Sequence, residues 1–368
     1  MDIVIDGINV SLELLESQRY RNLEVIPVKI NSNNAKDYLT LKRGISAGFV
    51  EITECEVSTV GTVLSRNNAS IPLILIDGDE IVGAKQNRIM NRSLIIQPKT
   101  SLPVSVSCTE QGRWHYGRSR RDYGVNDIDM NEYSNSHGND HFEELDEIYD
   151  EPISESFDCS EFVADFSTRR AKSDDLFENR NCQSTVWNSI HELENKTAFK
   201  SRTSALNDNY VHQRLKHNEY LRNFRIEYGQ SGAIFVINGQ IKGFELFANP
   251  SIYQDYHEKI FRSYIMEAIT SGPISKYSDC NYSSSYLFDD VREFLRELSV
   301  SQFRQSENRG IGRHLKFSNN FGTGATLLDG NNLVHLVYFN RLKSNSRIKG
   351  RNRTRRYGSF RDFAENFD

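Results

Sequence analysis

Long apolar runs are missing from this 368-residue chain. The longest, Ile71 to Ile76 with Pro72 counted in, is six residues, far short of the roughly 20 a membrane-spanning helix needs. The first 22 residues carry neither a basic stretch nor a long apolar one, so no secretory signal is read there. Cysteine is scarce: Cys55, Cys108, Cys159, Cys182 and Cys280 are odd in number and show no CxxC spacing, which suits a reducing compartment better than a disulfide framework. The P-loop, HExxH and GxSxG motifs are absent. GTGATL at 322–327 lacks the third glycine of a dinucleotide fingerprint and precedes a strand rather than a helix. The expectation is a soluble cytoplasmic protein with no membrane partner. Hydrophobic residues make up only 38%, which points to a part of the chain that is not packed.

Charge is strongly segregated behind a modest net value of −5. From Asp122 to Glu161 there are 14 Asp/Glu and no Lys/Arg; from Arg341 to Arg361 there are 9 Lys/Arg and no Asp/Glu. Like charges repel and leave little apolar surface to offset ordering entropy, so 118–182 reads as an acidic disordered insertion and 341–368 as a basic disordered tail. His137 and His141 stand four apart inside the acidic run, but a segment this polar yields such pairs by chance, and no metal site is assigned.

What is present is organised around Ile71 to Trp114. The apolar run Ile71–Ile76 breaks at Asp77-Gly78-Asp79-Glu80, Ile81-Val82 resumes it, and Lys85-Gln86-Asn87-Arg88 follow as four hydrogen-bonding side chains. Leu94-Ile95-Ile96 and the alternating Leu102, Val104 and Val106 read as two further strands, the second running out into Glu110, Arg113 and Trp114. Upstream, Leu23 to Ile30 alternates as a strand, and LKRGISAGFVEITE predicts a short helix ending near Gly48 and then a strand; nothing fixes residues 1–19. Downstream, GAIFVINGQIKGFELF predicts a hairpin on Asn238-Gly239. Asn249-Pro250-Ser251 caps a long helix with Tyr256, Ile260, Tyr264, Ile265 and Ile269 on its apolar face. A helix over 289–298 and a hairpin on Asp329-Gly330 close the pattern. Three hairpins would then share one turn chemistry, at Asp77-Gly78, Asn238-Gly239 and Asp329-Gly330; the turn itself demands this dipeptide, so no internal repeat need be invoked. The fold class expected is α+β. A β-rich antiparallel portion at 20–117, sandwich or barrel, packs against a hairpin-plus-helices half at 183–340 over one shared surface.

GAKQNRIMN followed by PVSVSCTEQGRW, with GQSGAIFVINGQIKGFELF at 229–247 and GRHLKFSNNFGTGATLLDGNNLVHLVYF at 312–339, resembles the ARG-and-rhodanese-phosphatase-superfamily-associated protein domain family. The likeness covers about Tyr20 to Phe339, less the acidic segment. It implies a connection with ADP-ribosylglycohydrolases and rhodanese-phosphatases, the neighbours for which the family is named, rather than a known reaction. It also implies that Asp is commoner where this chain has Glu245.

The candidate residues follow from donor and acceptor chemistry. Lys85, Gln86, Asn87 and Arg88 suit phosphate or carboxylate oxygens, Arg88 through a bidentate fork. Glu80 and Glu110 are the candidate general bases; Glu80 beside two cations is otherwise half of a salt-bridge network. Arg113 could pair with phosphate, and Trp114 either stacks on a base or covers the sheet end. Gln230 and Glu245 sit near a hairpin's ends as substrate-binding candidates. Cys108 reads as a buried apolar group and His335 as a packed, hydrogen-bonded histidine. The functional expectation is an enzyme acting on a phosphate-containing nucleotide derivative, ADP-ribose or NAD related, by hydrolysis. The alternative is a non-catalytic nucleotide or nucleic-acid binding module in a stress or conflict system, the basic tail adding nonspecific affinity. No cofactor is indicated.

Overall fold

The computed structural model describes residues 1–31, 35–113, 156–272 and 284–341. Trp114, the histidine pair, most of the acidic run and the basic tail beyond Arg341 lie outside these residues.

The turn at Asn238-Gly239 sets the centre of the fold. Both residues take left-handed angles, φ 52° and 72°, as a two-residue type I′ connection requires. Strands Gly232–Ile237 and Gln240–Phe247 pair across it. They are the middle of a ten-stranded sheet in the order Asp2–Ile5, Ile8–Leu14, Leu23–Ile30, Gly232–Ile237, Gln240–Phe247, Asn332–Asn340, Gly322–Asp329, Arg313–Ser318, Gln302–Gln305; Gln18–Tyr20 also pairs with Leu23–Ile30. Every pairing in this sheet is antiparallel.

Helices cover both faces of this sheet. Ala233, Phe235 and Ile237 pack against Tyr253, Ile260 and Tyr264 of helix Pro250–Thr270, with the Phe235 and Tyr264 rings stacked 3.8 Å apart. Ile234 and Val236 face the other way, toward Val291, Phe294 and Leu298 of helix Ser284–Ser299. A strand buried on both faces needs no polar alternation, which explains the unbroken GAIFVI. Asn249 caps the long helix by accepting from Ser251 N–H (2.9 Å), with Pro250 in its first turn.

The N-terminal portion is a β-rich antiparallel assembly of two smaller sheets. Six strands run in the order Phe157–Val163, Asp79–Gly83, Arg88–Met90, Thr100–Cys108, Thr62–Asn67, Val50–Thr59, and three in the order Leu94–Ile96, Leu73–Leu75, Leu39–Thr40. The single parallel pairing among the described residues joins Leu39–Thr40 to Leu73–Leu75. Leu73 and Leu75 point into one core with Ile52, Val63 and Val104, while Ile74 and Ile76 point into the core of the large sheet and long helix. The small sheet is thus a shared layer between two cores, and the run Ile71–Ile76 is apolar on both sides for that reason.

Four expectations are corrected. Residues 156–182, assigned to the disordered insertion on charge, contain strand Phe157–Val163 and helix Phe166–Phe177, whose Arg169 and Lys172 are fully buried. The acidic count hides its few apolar residues, Phe157, Phe162 and Val163, which are buried without a regular alternation. Asp77-Gly78 is not a hairpin turn: Leu73–Leu75 pairs with Leu94–Ile96, and the chain crosses at Asp77 from the three-stranded to the six-stranded sheet. The halves 20–117 and 183–340 meet over more than a shared surface, because Leu23–Ile30 pairs with Gly232–Ile237 inside one sheet. Residues 1–19 supply strands, and the helix expected at 289–298 begins at Ser284.

Because the N-terminal strands complete the large sheet, fragments 1–113 and 183–340 are each expected to lack a cooperative thermal transition; two sharp melts would contradict this topology. A pH dependence follows from buried imidazoles. Neither ring nitrogen of His217 has a hydrogen-bond partner among the described residues. Burial, and then Arg262, pull its pKa from 6.5 to about 3, and burial pulls His257 to about 4. The unfolded chain takes up these protons first, so the stability is complete above pH 6.5 and is lost as pH falls toward 4 and below. Denaturant unfolding should show a falling free energy between pH 7 and 5, with a shallower slope in His217→Phe.

Candidate functional site

The two charged exits of the organising stretch form a single buried network. Gly83 (φ 113°) and Ala84 (φ 41°) turn the chain back after Asp79–Gly83. The turn is held from within by Asn87 Oδ1, which accepts from Gly83 N–H (3.1 Å), and from outside by Glu110 and Arg113. Glu110 Oε2 accepts from Asn87 N–H (3.2 Å) and from Arg113 Nη2 (2.6 Å), its Oε1 accepts from Thr203 Oγ1 (2.9 Å), and Arg113 Nη1 donates to the Ala84 carbonyl (2.7 Å). Gln86 Nε2 donates to the Glu110 carbonyl (3.0 Å), and its Oε1 accepts from Arg88 Nη1 (2.9 Å). Arg88 is 0% exposed and lies 3.6 Å from Glu54, whose Oε1 also accepts from the Lys85 N–H (3.4 Å). Glu80 accepts from Thr109 Oγ1 (3.1 Å), Ser160 Oγ (2.8 Å) and Asn207 Nδ2 (3.0 Å). Apart from the half-buried Lys85 side chain, these two sets of candidates meet inside the protein, where they fasten the turn to the strand end at Cys108 and to helix Leu206–His212. Neither of the two cavities described below is lined by any of them.

Gln230 and Glu245 are also buried. Gln230 bridges the Gly232 carbonyl and the Tyr253 hydroxyl (both 2.9 Å). Glu245, on the large sheet, belongs to a second ionic network that sequence reasoning missed. Arg169 donates to both Glu245 oxygens (2.6 and 3.3 Å) and to Asp77 Oδ2 (3.3 Å), over the Phe339 ring at 5.2 Å. Burial opposes the Arg169 charge, but Glu245 and Asp77 outweigh it and hold its pKa above the ordinary value. Lys172 donates to Asp77 Oδ1 and to the carbonyls of Met90 (2.7 Å) and Asn91 (3.2 Å). Lys172 and Arg169 together overcome the burial of Asp77 and keep its carboxyl below the usual range. Gly78 (φ 78°) permits this: a Cβ there would stand 2.8 Å from Arg169 Cδ. His335 closes the network, with Nδ1 2.9 Å from Ser93 Oγ and Nε2 3.5 Å from Glu245. The missed signal was Asp165, which caps helix Phe166–Phe177 by accepting from Thr168 N–H (3.1 Å).

Beside Asp77 the second network opens into a cavity of about 220 Å³. The other cavity, around Asp165, Lys196 and Glu267, holds only about 10 Å³. Helix Phe166–Phe177 supplies Ser173 on one wall, Arg92 stands on another, and strands Arg313–Ser318 and Gly322–Asp329 supply His314, Lys316 and the small Ala325. Arg180 at the rim is paired with Asp175 (2.7 Å). Arg92 and Lys316 have no ion pair among the described residues. Arg92 donates to the Glu307 carbonyl, and Lys316 to the Leu176 carbonyl (2.7 Å) and Asn179 Oδ1 (2.6 Å). Burial lowers the pKa of both, and Arg92 lowers that of Lys316 further by repulsion. His314 is held neutral, its pKa pulled to about 3 by burial and then by Arg92. Its Nδ1 lies 2.5 Å from Ser306 Oγ, while Nε2 has no hydrogen-bond partner among the described residues. Two cations and a neutral imidazole in a cleft, each with a perturbed pKa, make a site candidate on physical grounds. The alternation of His314 and Lys316 on one strand face was the signal available in the sequence.

Residues 11–339 match the ARG and Rhodanese-Phosphatase-superfamily-associated Protein domain, ARPP-1. The chain belongs to this family. The match spans both ionic networks and the whole wall of the cavity; of the large sheet, strand Asp2–Ile5 precedes it. No curated protein and no solved structure matches the chain. Among the described residues no helix is long and apolar enough to cross a membrane.

Within the ARPP-1 motif, Arg88→Lys should act on stability. Lysine is a compact point charge and cannot span Gln86 and Glu54 as the guanidinium does. The expected loss is about 1–3 kcal/mol, read by denaturant unfolding. An unchanged unfolding midpoint with altered ligand binding would return Arg88 to the recognition groups.

Proposed function

We propose that the protein binds a phosphate-containing nucleotide derivative in the 220 Å³ cavity and hydrolyses it. The observation that carries this reading is the pair Arg92 and Lys316, two desolvated cations without an ion pair among the described residues, facing one space. A half-buried charge is costly unless it is paired, so an arriving phosphate gains from both cations while relieving their mutual repulsion. Hydrolysis needs a group that takes a proton from water. His314 lines the same space, and an anion there would offset the repulsion of Arg92, the second cause after burial that holds its pKa down. The ADP-ribose connection implied by the family's name bears on which nucleotide derivatives to try first; it is an association and not a contact.

A thermal-shift panel of AMP, ADP, ADP-ribose and NAD, followed by chromatography of the mixtures for products, tests the reading. Lys316→Gln and Arg92→Gln should each weaken binding by about ten- to a hundredfold, the usual worth of a charge-assisted contact, with little change in melting. Binding without products would leave a recognition module. If no nucleotide stabilises the protein, or both variants bind as the wild type does, the cavity is not the site.

A further inference from the structure

The cavity is not uniformly basic, and its uneven chemistry points to what accompanies the phosphate. Arg92 and Lys316 supply charge, but two other wall groups have different properties. His314 is 4% exposed, and its Nε2 is left without a hydrogen-bond partner among the described residues. An uncommitted buried nitrogen costs free energy unless a ligand or water meets it. Asp77 also lines the cavity. Lys172 and Arg169 each take one site on its two oxygens, and a carboxylate has about four such sites, so acceptor capacity remains. A second anionic group would be repelled there, whereas a hydroxyl donates to it. An apolar cavity of about 150 Å³ holds benzene, so about 220 Å³ has room for a phosphate joined to a five-carbon ring. The small Ala325 on the sheet leaves that space open.

Resting on the reading above, we propose that the group taken into the cavity is a phosphorylated sugar. Arg92 and Lys316 hold its phosphate, and Asp77 and His314 Nε2 meet its hydroxyls. The site then recognises a sugar phosphate end and discriminates against bare anions of equal charge.

Calorimetric titration of the full chain with ribose 5-phosphate, 2-deoxyribose 5-phosphate and inorganic phosphate decides this. Ribose 5-phosphate should bind about tenfold or more tighter than inorganic phosphate, the worth of one or two hydrogen bonds to ionised or buried groups. In His314→Phe, with its melt checked, that advantage should shrink while inorganic phosphate binds as before. Equal binding of ribose 5-phosphate and inorganic phosphate by the wild type overturns the sugar assignment and leaves the anion site standing. No binding of any of the three overturns both readings, and this comparison needs no variant to fold.

Discussion

A guanidinium with no access to water is the constraint on which the structure depends. Arg169 is wholly buried, and an ion taken from water carries a penalty of several kcal/mol that only close, well-aligned partners offset. Its partners come from distant parts of the chain: Asp77 from the crossing between the two small sheets, Glu245 from the centre of the large one. Helix Phe166–Phe177, which carries Arg169, is thus fixed against all three sheets at once. Lys172, one turn further along, repeats the arrangement by tying Asp77 to the carbonyls after strand Arg88–Met90.

The cavity is a by-product of that arrangement. Where the helix ends, its last carbonyls and Asn179 hold Lys316, and the strand opposite carries Ala325 rather than a large side chain. Ser173, His314 and Lys316 stand on a helix and a strand and are positioned before a ligand arrives, so little ordering of them is left to do on binding. Arg92 stands on the bend between Arg88–Met90 and Leu94–Ile96.

Much of the scaffold was legible in the sequence, for local reasons. The Asn238-Gly239 hairpin, the helix capped at Asn249 and the antiparallel N-terminal strands all follow from turn and capping chemistry that acts over a few residues. The same local rule misread Asp77-Gly78, because the dipeptide specifies a turn and not which strands the turn connects. Charge density hid Phe157–Val163 and the helix after it, since no window of composition shows that Arg169 and Lys172 have partners some 80 residues away in the chain. Lys85 to Arg88 and the second cluster at Glu110 and Arg113 were singled out for their hydrogen-bonding groups, but such richness reads the same whether the partners are a ligand or the protein itself. The cavity draws on separated segments from Asp77 to Val337, and that assembly exists only in three dimensions.

The ends of the segment 114–155 meet the fold at one place. Arg113 donates to the carbonyls of Ala84 and Gly83 (2.7 and 3.4 Å), and the Ser156 carbonyl lies 3.3 Å from where a Cβ on Gly83 would stand. Two residues more than forty positions apart in the chain thus converge on one turn. The left-handed Gly83 that lets the chain double back is also the point where the chain leaving the first small sheet and the strand Phe157–Val163 returning to it lie side by side.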